Sequence, residues 1–392
     1  MSSTLTMAKL SVIADINPAL SVELAEDEEV SFLPMSAVVA DRLDAVDNEI
    51  RLSAEVSKAY TPFQPNDVLV AKITPCFENG KIAIAKPTRR IGFGSTEFHV
   101  VRAHPEALDP RYLLHFLRQA SIRLDGQRKM TGSAGQRRVP QHFLDNLGIP
   151  LPPLPEQKRI AEILDKADAL RAKRRTALAQ LDTLTQSIFL DMFGDPATNP
   201  KGWATARLSD LCNLVRGSSP RPQGDPRFFG GPVPRLMVAD ITRDGWSVTP
   251  KIDSLTVEGA KHSRPVPAGT VVMAVSGNIG LVSQLAVDAC VHDGFVAFTE
   301  LNRERCEPEF LMALLHFSKT LHEKHKAGAI FINLTTTDIK AMSLPIPPRR
   351  IQSEFTVRLQ SVNELKEKER AFLQTLDALF ASIQQRAFRG EL

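Results

Sequence analysis

The sequence predicts an α/β (α+β) chain: two mixed α/β domains alternate with two long helices, which form an antiparallel intramolecular coiled coil with pseudo-twofold symmetry. Three observations predict it. Residues 149–193 repeat at 344–388 with a fixed offset of 195 and no gap, and fifteen of the 45 aligned positions are identical. Each copy contains a long run without Pro or Gly, Glu156–Phe193 and Arg349–Arg389. Outside the repeats lie short β-type runs broken by turn residues.

The offset is half of the 392 residues, so the chain is two copies of one unit. The expected division is 1–148, a first mixed domain; 149–196, a Pro-rich entrance and long helix; 197–343, a second mixed domain; and 344–392, a second entrance and helix. The first domain offers β-type runs at Asp67–Ile73, Lys81–Ala85 and Glu97–Arg102, then an amphipathic helix over Asp109–Leu124. The second offers Thr270–Val275, Leu281–Val287 and Gly294–Thr299, then a helix over Pro308–His325. In both helices Pro sits at an early position, where its missing N–H costs nothing.

The entrances Ile149–Pro155 and Leu344–Pro348 read as extended connectors, because proline moves its predecessor out of the helical region. The 38 residues Glu156–Phe193 make a rod of about 57 Å. Apolar residues alternate at spacings of four and three. In the first rod they are Ile160, Leu164, Ala167, Leu178, Leu181 and Ile188, with Leu184 beside the seam. In the second they are Phe355, Leu359, Val362, Leu373, Leu376, Phe380 and Ile383. This is a coiled-coil pattern whose seam requires a partner helix. Polar residues interrupt it mid-helix: Arg171 and Arg174 in one copy, Lys366 and Glu369 in the other. Superimposing the helix centres places Arg171 against Glu369 and Arg174 near Lys366, a layer expected to fix register.

A net charge of +3 does not mark the whole chain as a polyanion binder, so any nucleic-acid surface has to be local. Between Arg118 and Arg138 there are six basic residues and one acid, Asp125. Arg128, Lys129, Arg137 and Arg138 flank Thr131-Gly-Ser133-Ala-Gly-Gln136. Cations neutralise phosphates, small residues admit the backbone closely, and Arg or Gln reads base edges. Lys72 and Thr74, after the first β-type run, join this candidate set. In the second domain the candidates are Arg216, Ser218 and Arg221, Ser276 and Asn278 in a turn, and Lys326, Asn333 and Thr335.

Four separate cysteines, at 76, 212, 290 and 306, imply neither a disulfide framework nor a zinc site and fit a reducing cytoplasm. Neither a signal segment nor a membrane span is expected. The sequence has no phosphate loop of the Gly-x4-Gly-Lys-Ser/Thr type and no Asn/Asp-Pro-Pro-Tyr/Phe motif, so neither ATP hydrolysis nor amino-methyl transfer is expected of this chain. His322 and His325 have no acidic or cysteine neighbour suited to a metal and read as a polar helix face.

The run Pro152-Pro-Leu-Pro-Glu-Gln-Lys-Arg-Ile-Ala-Glu-Ile-Leu-Asp, the segment Phe193-Gly-Asp-Pro-Ala-Thr-Asn-Pro-Lys-Gly-Trp203 and the ending Ala387-Phe-Arg-Gly-Glu-Leu392 resemble the specificity (S) subunits of type I restriction-modification systems. The resemblance spans the chain. The second entrance departs from the pattern, with Arg349-Arg350-Ile351 where the first has Leu154-Pro155-Glu156. The resemblance implies a non-catalytic subunit whose two target recognition domains each read half of a bipartite double-stranded DNA site, while the helices set the unread spacer. It also implies partners: modification subunits, two of them, and restriction subunits. These would carry S-adenosylmethionine, ATP and Mg2+, with no cofactor in this chain. Two alternatives remain open from the residues alone: the recognition subunit of another methylation-based defence system or orphan methyltransferase, and a coiled-coil scaffold without DNA contact.

Overall fold

The structure is a computed structural model and describes residues 6–324 and 335–392, apart from Asn48 and Ala134. It divides into two compact units: one runs up to Thr176 and includes Glu369–Leu392, and the other is Ala177–Lys368. Each unit therefore combines one mixed domain with part of both long helices.

In the first unit a five-stranded sheet has the order Ala14–Ile16, Phe98–Ala103, Val68–Ala71, Ile82–Lys86, Asp44–Val46. A second sheet has the order Glu49–Leu52, Glu29–Leu33, Gly92–Gly94, Thr61–Phe63. The second unit repeats both orders, with Asn213–Arg216, Phe295–Thr299, Val271–Ala274, Val282–Leu285, Ser247–Val248 and then Asp253–Leu255, Phe229–Leu236, Ala289–Val291, Arg264–Val266. The parallel pairings recur at the same places, at one edge of the larger sheet and at the centre of the smaller. The β-type runs expected from sequence are present: four are shortened by one or two residues at their ends, and those at Lys81–Ala85 and Glu97–Arg102 are shifted by one residue, to Ile82–Lys86 and Phe98–Ala103. The smaller sheets were not expected, since their strands are short and interrupted.

The larger sheets are buried on both faces, which is why their strands read as continuous apolar runs. Val68 and Val70 face a cluster with Tyr112 and Phe116, while Leu69 and Ala71 face Leu33 and Phe63 of the smaller sheet. The helix expected over Asp109–Leu124 is two helices: α1, Pro110–Leu117, and α2, Ala120–Arg128. The backbone leaves the helical region at Gln119, whose ψ is 137°, while the guanidinium of the preceding Arg118 turns inward to donate to the carbonyls of Ile82 (2.9 Å from Nε) and Arg42. Its burial pushes its pKa down to about 10.

The first long helix is α3, Leu154–Phe193; after α4, Pro308–Lys324, comes the second, α5, Arg349–Ala387. Their pairing is antiparallel. In the first unit Arg171 Nε meets Asp377 Oδ1 at 2.6 Å and Arg174 Nη1 meets Glu369 at 3.0 and 3.1 Å. In the second, Lys366 Nζ meets Asp182 at 2.9 Å and the Thr185 hydroxyl at 3.1 Å. These contacts correct the expected layer: Arg171 does not face Glu369, and Arg174 pairs with Glu369 rather than approaching Lys366. The helix midpoints do superimpose, between Lys173 and Arg174 on α3 and at Lys368 on α5, so Arg174 rather than Arg171 stands opposite Glu369 and Arg171 falls one turn away, against Asp377. Aromatic anchors at the ends hold the same register. Phe388 lies 5.0 Å from Tyr112 and 5.4 Å from Phe116. Phe193 lies 4.8 Å from Phe310 and 5.3 Å from Phe355. Burying rings outweighs aligning exposed charges.

Ile160, Leu164, Phe355 and Leu359 are buried, because the domain cores close over them. Leu178, Leu181, Ile188, Leu373, Leu376 and Ile383 are half-buried; Ile383 packs against the first core and Ile188 against the second.

One polar contact joins each helix start to its domain. The fully buried Gln157 side chain accepts from Asp109 N and donates to the carbonyls of Ala107 and Pro152, each at 2.9 Å. Gln352 makes the same three bonds, to Glu307 N (2.9 Å) and to the carbonyls of Arg305 (2.9 Å) and Pro347 (2.7 Å). In the divergent entrance, Arg349 compensates by pairing with Glu307. Gln157→Ala and Gln352→Ala each strand three main-chain groups out of reach of water. Each substitution is expected to cost about 1–3 kcal/mol, and more if all three groups stay unpaired. Thermal unfolding checks this, and equal losses are expected from the two sites.

Candidate nucleic-acid interface

In the first unit the structure brings Lys72, Thr74, Arg137 and Arg138 together. Thr74 N donates to Arg137 O at 2.9 Å and Val139 N to Lys72 O at 2.8 Å, so the segment after strand Val68–Ala71 pairs with the end of the basic loop. Arg138 forms a forked pair with Glu97, at 2.7–3.1 Å, and its hydrogen bonds hold the Glu97 carboxyl below the usual range. Arg137 donates to the carbonyls of Gln127 and Met130, both at 3.2 Å. Thr74 Oγ1 donates to Glu78 at 2.8 Å. These side chains shape the base of the loop.

The outer part differs. Arg128, Lys129, Ser133 and Gln136 are exposed; Lys129 makes a surface i,i+4 pair with Asp125 and lies 5.3 Å from the centre of the Phe143 ring. Gly132 makes the turn possible: its φ is +122°, and a Cβ there would approach Gln136 O to 2.6 Å.

In the second unit Asp293 organises the candidates. The Ser219 hydroxyl donates to its carboxylate at 2.8 Å, Arg221 reaches it at 3.5 Å, and Arg216 donates to its carbonyl at 3.1 Å. The Ser219 bond leads in holding the Asp293 pKa down. Gly217 packs so closely against the backbone that a Cβ would sit 2.0 Å from His292 O. The backbone N–H of Ser218 donates to Val291 O at 3.1 Å. Ser276 is exposed beside Gly294. Asn278 stands apart from that group and accepts from Lys319 at 3.1 Å. Thr335 is a helix cap: its oxygen accepts from Asp338 N at 3.2 Å, and its hydroxyl donates to the Asp338 carboxylate at 2.6 Å. Lys326, Asn333 and His325 lie outside the described residues, as does the side chain of His322.

Glu97, Asp293 and Ser219 were not singled out from sequence. Each acid immediately precedes or nearly abuts the second strand of its larger sheet, and each binds residues 41 to 74 positions away. No local pattern marks such a pairing. Among the described residues no cluster of three His, Cys, Asp or Glu side chains is disposed to hold a metal.

The profile of the type I restriction modification DNA specificity domain matches residues 13–181 and 200–376. Two specificity subunits from Escherichia coli are similar over part of the chain. That of type I restriction enzyme EcoEI is 40% identical over 212 residues, 53% of this chain and 35% of that protein. That of EcoAI is 38% identical over 184 residues, 46% and 31%. The matched stretch thus spans about a third of those relatives. A putative type I specificity subunit from Methanocaldococcus jannaschii, MjaX, is 24% identical over 318 residues, covering 78% of this chain and 73% of it. Among solved structures, a chain from a study of complex assembly and conformational transition in a type I R-M system superposes with a TM-score of 0.57, at 21% identity over 99% of this chain and 98% of that one. A type I S subunit from M. genitalium gives 0.56, at 13% identity over 98% and 96%. Those two likenesses are of fold. With the profile matched once in each half, the chain belongs to the type I restriction-modification DNA specificity family, whose members are the non-catalytic specificity subunits of those systems.

Proposed function

We propose that the chain reads a bipartite double-stranded DNA site, one half-site per mixed domain, within a type I restriction-modification complex. The observation that carries this is that each domain displays basic and small polar residues on a loop whose base is clamped by an acid from the sheet: Glu97 in one, Asp293 in the other. Residues 1–148 and 197–343 are then the target recognition domains, and 149–196 and 344–392 the connecting regions.

Arg128 and Lys129 would hold phosphates, and Ser133 and Gln136 would face base edges. Arg137 and Arg138 would keep the loop in shape, with Lys72 and Thr74 beneath it. In the second domain Arg216, Arg221, Ser218 and Ser276 would form the corresponding surface. Replacing Arg128 or Lys129 with Ala is expected to weaken DNA binding by similar factors on all sequences and to lower the slope of log K against log salt by about 1. Gln136→Ala is expected instead to relax preference at one base position, at a cost of about 1–3 kcal/mol. Titrations at several salt concentrations, with methylated-site mapping, separate the two.

Modification subunits would dock on the outward faces of α3 and α5, and restriction subunits would join them. S-adenosylmethionine, ATP and Mg2+ would then be held by those partners. Supporting the docking, the repeated leucines Leu170, Leu379, Leu184 and Leu365 are 48%, 51%, 44% and 49% exposed. Leu170 and Leu379 lie within two residues of the Arg171–Asp377 contact in the first unit, and Leu184 and Leu365 within two of Asp182–Lys366 in the second. Two equal patches suit two identical partners. Leu170→Glu with Leu379→Glu, or Leu184→Glu with Leu365→Glu, is expected to lower the copies of modification subunit bound from two to one, as native mass spectrometry would report.

No helix among the described residues is long and apolar enough to cross a membrane. The action proposed is on DNA in the cytoplasm. Helix length would set the unread spacer. Seven residues inserted after both Thr176 and Lys368 preserve the antiparallel register and add about 10 Å. Methylated sites are expected to show a spacer longer by about three base pairs, at 3.4 Å each. An unchanged spacer would refute the assignment.

A further inference from the structure

Among the described residues the ion pairs joining α3 to α5 include Arg171–Asp377, with Arg175 also 3.6 Å from the same carboxylate, Lys366–Asp182 and Arg174–Glu369. Under the repeat offset of 195, Arg171 corresponds to Lys366 and Asp377 to Asp182. Arg171–Asp377 and Lys366–Asp182 are therefore one contact made twice, once in each unit. Arg174 corresponds to Glu369 itself, so the Arg174–Glu369 pair joins a position to its own counterpart.

We propose that Arg174–Glu369 selects which helix pairs with which: it lets α3 accept α5, and makes each helix reject the same helix of a second copy of this chain. The other ion pairs do not discriminate. If two copies paired α3 with α3 in the observed register, Arg171 of each would meet Asp182 of the other. If they paired α5 with α5, Lys366 would meet Asp377. Both are attractive. Of the end anchors, Phe193 and Phe388 are the same residue in the repeat, as are Leu164 and Leu359, and these are permissive. Phe189 and its counterpart Gln384 differ: Phe189 packs on Phe317 and Phe355, and Gln384 donates to His115 O at 2.9 Å, so each helix end suits its own domain and supports the native pairing beside the central ion pair. The Gln157 and Gln352 bonds stay within one helix start and its own domain.

Only at 174 and 369 does the sign of the interaction depend on the partner. Arg174 meets Glu369 at 3.0 and 3.1 Å in the native pair, but α3 with α3 opposes two arginines, and α5 with α5 opposes two glutamates. The two side chains are 38% and 24% exposed, so water and salt screen the charges incompletely. Stacking points the same way. The Arg174 guanidinium lies 4.5 Å from the centre of the Phe372 ring, and that of Arg171 4.3 Å from Phe380. The counterparts of these rings on α3 are Ala177 and Thr185, so an α3–α3 pair loses both contacts. This is the logic by which a polar seam residue specifies partner choice in coiled coils.

The test uses the full-length chain, with light scattering after size exclusion over a hundredfold concentration range, and thermal unfolding. The charge-swapped variant Arg174→Glu/Glu369→Arg is expected to stay as monomeric as the wild type. Arg174→Glu alone is expected to unfold at a lower temperature, and the swap to recover most of that loss. The neutral variant Arg174→Gln/Glu369→Gln is expected to remain folded yet self-associate at least tenfold more tightly than the wild type. Should it fail to fold, Arg174→Leu/Glu369→Leu reads the same quantity. To identify the helices that join, Arg174→Cys/Glu369→Gln is oxidised and mapped, and a 174-to-174 disulfide between copies is expected. A neutral variant no more associated than the wild type, a charge swap that associates as strongly as the neutral variant, or dimers lacking that disulfide would overturn the proposal.

Discussion

Each domain's core is completed by chain from both long helices, and the rest of the structure depends on that constraint. In the first unit the cluster around Tyr112 and Leu113 includes Ile160 and Leu164 from α3 and Phe388 from α5. In the second, the cluster around Phe310 and Leu311 takes Phe189 and Phe193 from α3 and Phe355 and Leu359 from α5. Neither core closes on local sequence alone, so folding each domain also positions the helix pair. The half-buried leucines mid-helix then need only modest packing, because the ends have already set the register. Charged residues can occupy the middle of the seam for the same reason.

Much of this was legible in the residues. The repeat, the two runs without proline or glycine and the four-three apolar spacing gave the helix pair and its direction. Long apolar strands such as Val68–Ala71 and Val271–Ala274 were recognisable because they are buried on both faces. The smaller sheets were not legible: strands of three residues such as Thr61–Phe63 and Gly92–Gly94 carry too little periodicity to register. The helix break at Gln119 was hidden too, since no proline or glycine marks it.

The candidate interface was legible in part. Composition drew attention to Arg128–Arg138 and to Arg216–Arg221, but it could not separate cations that face solvent from cations that hold the loop. Arg138 is gripped by Glu97, and the uncharged candidate Thr335 caps a helix. The polar seam was misread by one turn. The helix centres do superimpose, but Arg174 rather than Arg171 stands at the centre of α3 and meets Glu369.

Every atom that Gln157 and Gln352 bind outside their own side chains belongs to the main chain. Such a joint is blind to which side chains the neighbouring loop carries. The domain attached to it can drift in sequence, as the limited identity between the two halves shows it has, while the fastening remains the same. The glutamine is thus an adaptor fitting: it holds each helix start at one attitude to its domain and leaves the domain's outer surface free to change.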